Sequence, residues 1–165
     1  MANMEQQSAL MNQLKLEQVA KSGARWFYWI AGFSAFNSLS VWLNLGWSFF
    51  VGLGITQVFD GVGSTLGVLG AIAAVGLDLG VVGGFVLAGY LAHKYRVAFL
   101  IGVGFYALDG LLLLFFSEYV YAGFHLFAIF FILQGYKAAK ALAAAPTPSE
   151  AFFYPAAAPA EGEST

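Results

Sequence analysis

The stretch SFFVGLGITQVFDGVGSTLGVLGAIAAVGLDLGVVGGFVLAGYL, residues 48–91, decides how this chain is built. It holds two acids, Asp60 and Asp78, and no base. A helix needs roughly 20 apolar residues to cross a hydrocarbon core of about 30 Å. The run is therefore too long for one crossing and long enough for two. Asp60-Gly61-Val62-Gly63-Ser64 is its expected break, because glycines and a short acid weaken a helix. Leu66 to Leu91 then reads as one long transmembrane helix.

Further apolar runs flank this stretch. On its N-terminal side, Arg25 opens the run Trp26 to Leu43. That run begins with Trp26-Phe27-Tyr28-Trp29, the amphipathic aromatics of a membrane interface. Asn44-Leu45-Gly46 reads as a tight turn before another interfacial aromatic, Trp47. On the C-terminal side, His93-Lys94-Tyr95-Arg96 is a basic turn. Val97 to Phe116 is the next span, and Ser117-Glu118 the next turn. Phe124 to Tyr136 is the last span, closed by Lys137 and Lys140. Residues 1–23 read as an amphipathic surface helix or tail, with Leu10, Met11, Leu14 and Val19 at helical spacing. They lack the basic start and apolar core of a cleavable signal, so the first span is expected to act as a signal anchor. Residues 24–140 are the transmembrane bundle. Residues 141–165 are Ala/Pro-rich and expected to be disordered, with Phe152-Phe153-Tyr154 as an apolar island.

Composition supports this reading. The 165 residues are 60% hydrophobic and 10% charged, with mean hydropathy +0.76. A soluble domain carries about 25% charged residues. The fold class is all-α, a polytopic transmembrane helical bundle. The formal net charge of -2 gives no reason to expect a nucleic-acid partner. The chain has no cysteine, which excludes disulfides, thiolate metal sites and a cysteine nucleophile.

Charge sets the number of crossings. Lys and Arg collect in short cytoplasmic loops. If residues 48–91 cross once, Lys15, Lys21, Arg25, Lys94, Arg96, Lys137 and Lys140 all fall on one side. These are all seven basic residues of the chain. If the stretch crosses twice, they split between the two sides. The expectation is therefore four full crossings with both termini cytoplasmic, and residues 48–64 as a re-entrant or interfacial helix. Five ordinary crossings are the alternative.

The polar residues inside the spans are the candidate site. An acid at bilayer depth costs about 2.5–3.5 kcal/mol on insertion scales, and such residues usually face the bundle interior. Asp60, Asp78 and Asp109 qualify. Asp109 sits mid-span with Tyr106 one turn earlier. Asn37, Gln57 and His125 are further polar groups at depth, and Asn37, Asp109 and His125 would form a pocket if their helices adjoin. The bland reading is that such groups only hydrogen-bond neighbouring helices. His93 and His125 are the only histidines. No metal-ligand spacing accompanies them, and no cofactor is expected.

Glycine carries a second pattern. Gly76, Gly80 and Gly84 recur every fourth residue, and Gly63 and Gly67 repeat the interval. Such spacing lets helix backbones approach closely in lipid. No nucleotide loop, nucleophile elbow or zinc-protease motif is present.

The segments WSFFVGLGITQVFDG (47–61), FYALDGL (105–111) and FHLFA (124–128) resemble a loose group of small uncharacterised bacterial multi-pass membrane proteins. The likeness covers about residues 25–140 and implies no reaction. It implies a bacterial cytoplasmic membrane as the location. The expected role is non-enzymatic: an accessory or structural subunit of a larger membrane complex, or a homo-oligomer, with the bilayer and other helices as partners. A small permease or proton/ion conductor using the intramembrane acids is the alternative.

Overall fold

The computed structural model describes residues 2–43, 45 and 52–145. Among them there are five helices and no strand. These are α1 (Ala2–Trp42), α2 (Gly54–Thr65), α3 (Gly67–Ala92), α4 (Val97–Phe115) and α5 (Tyr119–Ala144). Three of them, α3, α4 and α5, are long and apolar enough to cross a membrane. Their surfaces suit lipid: Leu69 is 81% exposed and Phe115 82%. That much bare hydrocarbon is incompatible with a water-facing surface of this extent.

The first helix is a single rod. Its 41 residues run about 60 Å at 1.5 Å each, so the polar first 23 residues continue directly into the apolar run. No break divides them at Gly23, because Gly23 serves packing. A Cβ there would lie 2.5 Å from the Cα of Gly135, so the backbones of α1 and α5 touch at this point. Next to that contact sit Ala24, Phe27 and Ile30 of α1, and Ile132 and Ala128 of α5, all buried. Phe27 also fills the place that a side chain at Gly102 would need, which brings α4 close. Phe85, Phe99 and Tyr106 complete an aromatic core around it.

α1 packs on α3 and α5, and α4 packs on α5 and less extensively on α3. The four long helices thus make a closed ring of neighbours. α2 lies against α3, with smaller contacts to α1 and α4.

The break within residues 48–91 falls later than expected. α2 runs straight through Asp60–Ser64, and the turn comes at Leu66-Gly67. Gly67 takes φ +69°, the left-handed conformation that glycine adopts without steric cost. Gly63 is kept for packing: a Cβ there would lie 2.6 Å from the Cβ of Ala74 and 2.9 Å from the carbonyl of Gly70. α2 and α3 therefore form a tight antiparallel hairpin. With 12 residues, α2 is about 18 Å long, short of a hydrocarbon core.

The other turns fall where their polar residues suggest. α4 ends in a Schellman motif. Ser117 holds φ 63°, its amide bonds Leu114, and the Glu118 amide reaches back to Leu113 at 2.9 Å. His93–Arg96 joins α3 to α4. The last helix runs past Lys140 to Ala144, since alanine is the best helix former. The expected turn at Asn44–Gly46, Trp47, and the tail with Phe152–Tyr154 lie largely or wholly outside the described residues.

Candidate functional site: two buried carboxylate clusters

The start of α2 poses a physical problem. The first amides of a helix have no intrahelical acceptor. Buried away from water, each unsatisfied group is costly. Leu53, at the N-cap position, has no side chain that can accept a hydrogen bond, and Gly52 and Leu53 are both buried.

Side chains from distant helices answer it. The Leu53 amide donates to Ser34 Oγ of α1 at 2.7 Å. The Gly54 amide donates to Asp109 Oδ2 of α4 at 2.8 Å, and the Ile55 amide to Asp109 Oδ1 at 2.8 Å. Thr56 Oγ1 donates back to the Leu53 carbonyl at 2.8 Å. Ser34 uses its own proton on the Ile30 carbonyl at 2.8 Å. Three consecutive amides are thus satisfied by two side chains, and a carboxyl group sits at the positive end of a helix dipole. Gly54 lets Leu113 pack close here, since a Cβ would lie 2.6 Å from Leu113 Cδ2 and push that side chain aside.

His125 of α5 completes the cluster. Its Nε2 lies 2.8 Å from Asp109 Oδ2, and its Nδ1 lies 2.9 Å from the Tyr121 carbonyl. A carbonyl only accepts, so Nδ1 carries a hydrogen. One proton must then sit between Nε2 and Oδ2, shared by imidazole and carboxyl. The Tyr106 ring stacks on His125 with centroids 4.0 Å apart and planes at 18°. Tyr106 and His125 are both fully buried. Tyr106 therefore meets Asp109 through the imidazole that Asp109 holds, and Gly110 leaves room for that ring.

The second cluster lies two turns further along α1. α1 and α2 run parallel there, since Ser34 meets Leu53 and Trp42 meets Asp60. The Trp42 indole Nε1–H donates to Asp60 Oδ1 at 3.0 Å. Ser38 Oγ donates to Asp78 Oδ2 at 3.1 Å. Asp60 and Asp78 lie close enough for their carboxyls to interact electrostatically. The remaining oxygens, Asp60 Oδ2 and Asp78 Oδ1, accept nothing from any other group among the described residues. Gln57 Nε2, one turn before Asp60 on the same helix, is buried and also unpartnered.

Asn37 lies against Gly52, where a side chain on Gly52 would collide with its amide. It is buried beside the entrance to α2, one turn along α1 from Ser34. His93 is exposed in the basic turn. Among the described residues no group of three His, Asp or Glu side chains is placed to hold a metal ion. Sequence reasoning did not single out Ser34, Ser38 or Trp42. A serine at helical spacing in an apolar run was the available signal, but serine is common in such helices.

The glycines divide. Gly63 packs against α3, and Gly67 makes the turn. A Cβ at Gly76, Gly80 or Gly84 would meet nothing within 4 Å. That stripe is therefore open, while Asp78 on the same helix is buried. Close glycine packing within the chain instead uses Gly23 with Gly135 and Gly63 with Gly70.

Between Leu53, α3 and α4 lies a cleft of about 530 Å³, lined by Leu53, Val81, Phe85, Ile101 and Phe105 with Asp109 at one edge. All but the last are apolar. No protein family, characterised protein or solved structure matches this chain.

Proposed function

We propose that this is a non-enzymatic integral membrane protein that works by packing with other transmembrane helices, as a homo-oligomer or as an accessory subunit of a larger complex. The observation that carries this reading is the open stripe on α3. Gly76, Gly80 and Gly84 are the only regular glycine ladder in the chain, and nothing among the described residues packs on them. A helix with small residues every fourth position offers close backbone approach, which is what associates helices in lipid. The Asp109 cluster supports it from the other side, because its oxygens are occupied in holding α2.

In this reading the chain crosses four times and both termini face the cytoplasm of a bacterial cell. α1 is the fourth crossing helix. α2 is re-entrant: it starts at the depth of Ser34 and Asp109 and runs outward for about 18 Å, alongside the end of α1. Re-entrant backbone is tolerated where protein buries it. The side chains that take the amides of Leu53, Gly54 and Ile55 supply that burial.

The chain has no cysteine, so a single Gly80→Cys variant reports on one position. Oxidation in membranes is expected to link α3 to a second copy or to a partner subunit. A cysteine in place of Leu126, exposed on α5, is the control and is expected not to link. An unlinked Gly80→Cys chain that also purifies as an isolated monomer overturns the assembly reading.

A second reading rests on the Asp60–Asp78 pair. Two neighbouring buried carboxyls, each with one oxygen that accepts nothing among the described residues, are the element a proton or cation conductor needs. Proteoliposome flux abolished by Asp78→Asn supports it, and flux unchanged by that substitution counts against it.

A further inference from the structure

The polar chemistry at the opposite end of the bundle is cationic. A second cavity, of about 670 Å³, lies where α1, the α3–α4 turn and α5 meet. Lys21 enters from α1, and His93, Lys94 and Arg96 from the turn. Glu17 is the only acid lining it, and it pairs with Lys21 at 3.7 Å. Three cations against one anion leave the lining formally +2 with His93 neutral. Lys94 is poised over the Tyr95 ring at 5.3 Å. The floor is apolar, formed by Ala92, Val97 and Leu142.

The position of the cavity matters as much as its charge. α3 ends at Ala92 and α4 begins at Val97, so the turn lies at the level where two spans leave the membrane. Lys21 is about one turn before Trp26, the first aromatic of the α1 apolar run. Ala139 and Leu142 are in the turns just past Tyr136. The cavity thus lies where the apolar helices α3 and α4 meet their polar turn, and its lining combines apolar side chains with cations. α4 also begins here, and its positive dipole end adds to the field.

We propose that this cavity binds the phosphate of an anionic membrane lipid. Lys94 and Arg96 contact the phosphate, and Ala92, Val97 and Leu142 take the first segment of the acyl chains. Basic pockets between helices on the cytoplasmic side are a known way to hold anionic headgroups. The charge of the lining fits one or two phosphates. A soluble anion would use the cations and leave the apolar floor unfilled.

Native mass spectrometry tests this, with the purified protein titrated in detergent with dioleoylphosphatidylglycerol. Each cation near a membrane surface contributes such that its removal weakens binding about fivefold, so Lys94→Gln with Arg96→Gln is expected to lose roughly 30-fold. The control is Lys137→Gln with Lys140→Gln. It removes the same charge from the same end, on residues that do not line the cavity, and is expected to change binding only slightly. Lys94→Arg with Arg96→Lys keeps both charges and is expected to retain binding, which separates a lost contact from a damaged fold. Equal losses in the two glutamine pairs, or none in the first, overturn the site. Glycerol 3-phosphate binding as tightly as the lipid overturns the lipid and leaves a soluble phosphate ester in its place.

Discussion

Asp109 and the Asp60–Asp78 pair are the same residue type, all nearly fully buried, in the same bundle. Their hydrogen-bond accounts differ. Asp109 receives two backbone amides and one imidazole, so both of its oxygens are used. Asp60 and Asp78 each receive one side-chain donor and leave their second oxygen without one among the described residues. A buried acid at bilayer depth is therefore not one kind of thing. Asp109 stands in for a helix cap that the chain does not supply locally, whereas the pair keeps one oxygen apiece that no donor among the described residues uses. The cost of burying polar groups explains why the first is structural: its removal strands three other groups.

Substitutions test this contrast by their size. Asp109→Ala is expected to cost the most, about 3–5 kcal/mol, because Gly54, Ile55 and His125 lose their partner together. Reversible unfolding in detergent measures it, and a loss no larger than that of Asp78→Asn breaks the distinction. Next comes Ser34→Ala, which leaves the Leu53 amide unsatisfied and is expected to cost about 1–3 kcal/mol by the same measurement. Gly23→Ala falls in a similar range of about 1–3 kcal/mol, because α1 and α5 must separate to admit the Cβ. Gly80→Ala is its counterpart on the open stripe, and folding stability there is expected to hold or rise by up to about 1 kcal/mol while association through α3, measured by size-exclusion chromatography in detergent, weakens. Smallest is Asp78→Asn. The amide keeps an oxygen to accept from Ser38 and adds a donor beside Asp60, so the expected change in stability is within about 1 kcal/mol. A loss several times larger would make the pair a structural clamp like Asp109.

The outline of the bundle was legible along the chain. The basic turn at His93–Arg96 and the polar turn at Ser117-Glu118 mark the ends of α3, α4 and α5, since charge and apolar length are local properties. The turn in the 48–91 stretch was not. Glycine occurs at both 63 and 67, and composition alone favours the acid-bearing Asp60–Ser64 segment. Only the approach of Ala74 and Gly70 to Gly63, and the positive φ of Gly67, assign one glycine to packing and the other to the turn. The same holds for the site. Asp109 and His125 stood out as polar groups in apolar helices, but the amides that Asp109 serves are 54 and 55 positions away in sequence.

The sequence by itself determined that the chain is helical, that it carries runs long and apolar enough to cross a membrane, and that a few polar side chains had to be buried inside it. Those properties follow from residue type and run length, which do not depend on what packs on what. The tertiary structure decided which acids are spent and which are not. It set Asp109 on the start of α2, Asp60 against Asp78, and Gly76, Gly80 and Gly84 toward open space. The physical reason is that hydrogen-bond satisfaction and close packing are properties of pairs. In the pairing this chain adopts, the amides at Leu53, Gly54 and Ile55 are all bonded, and residue type along the chain does not specify that.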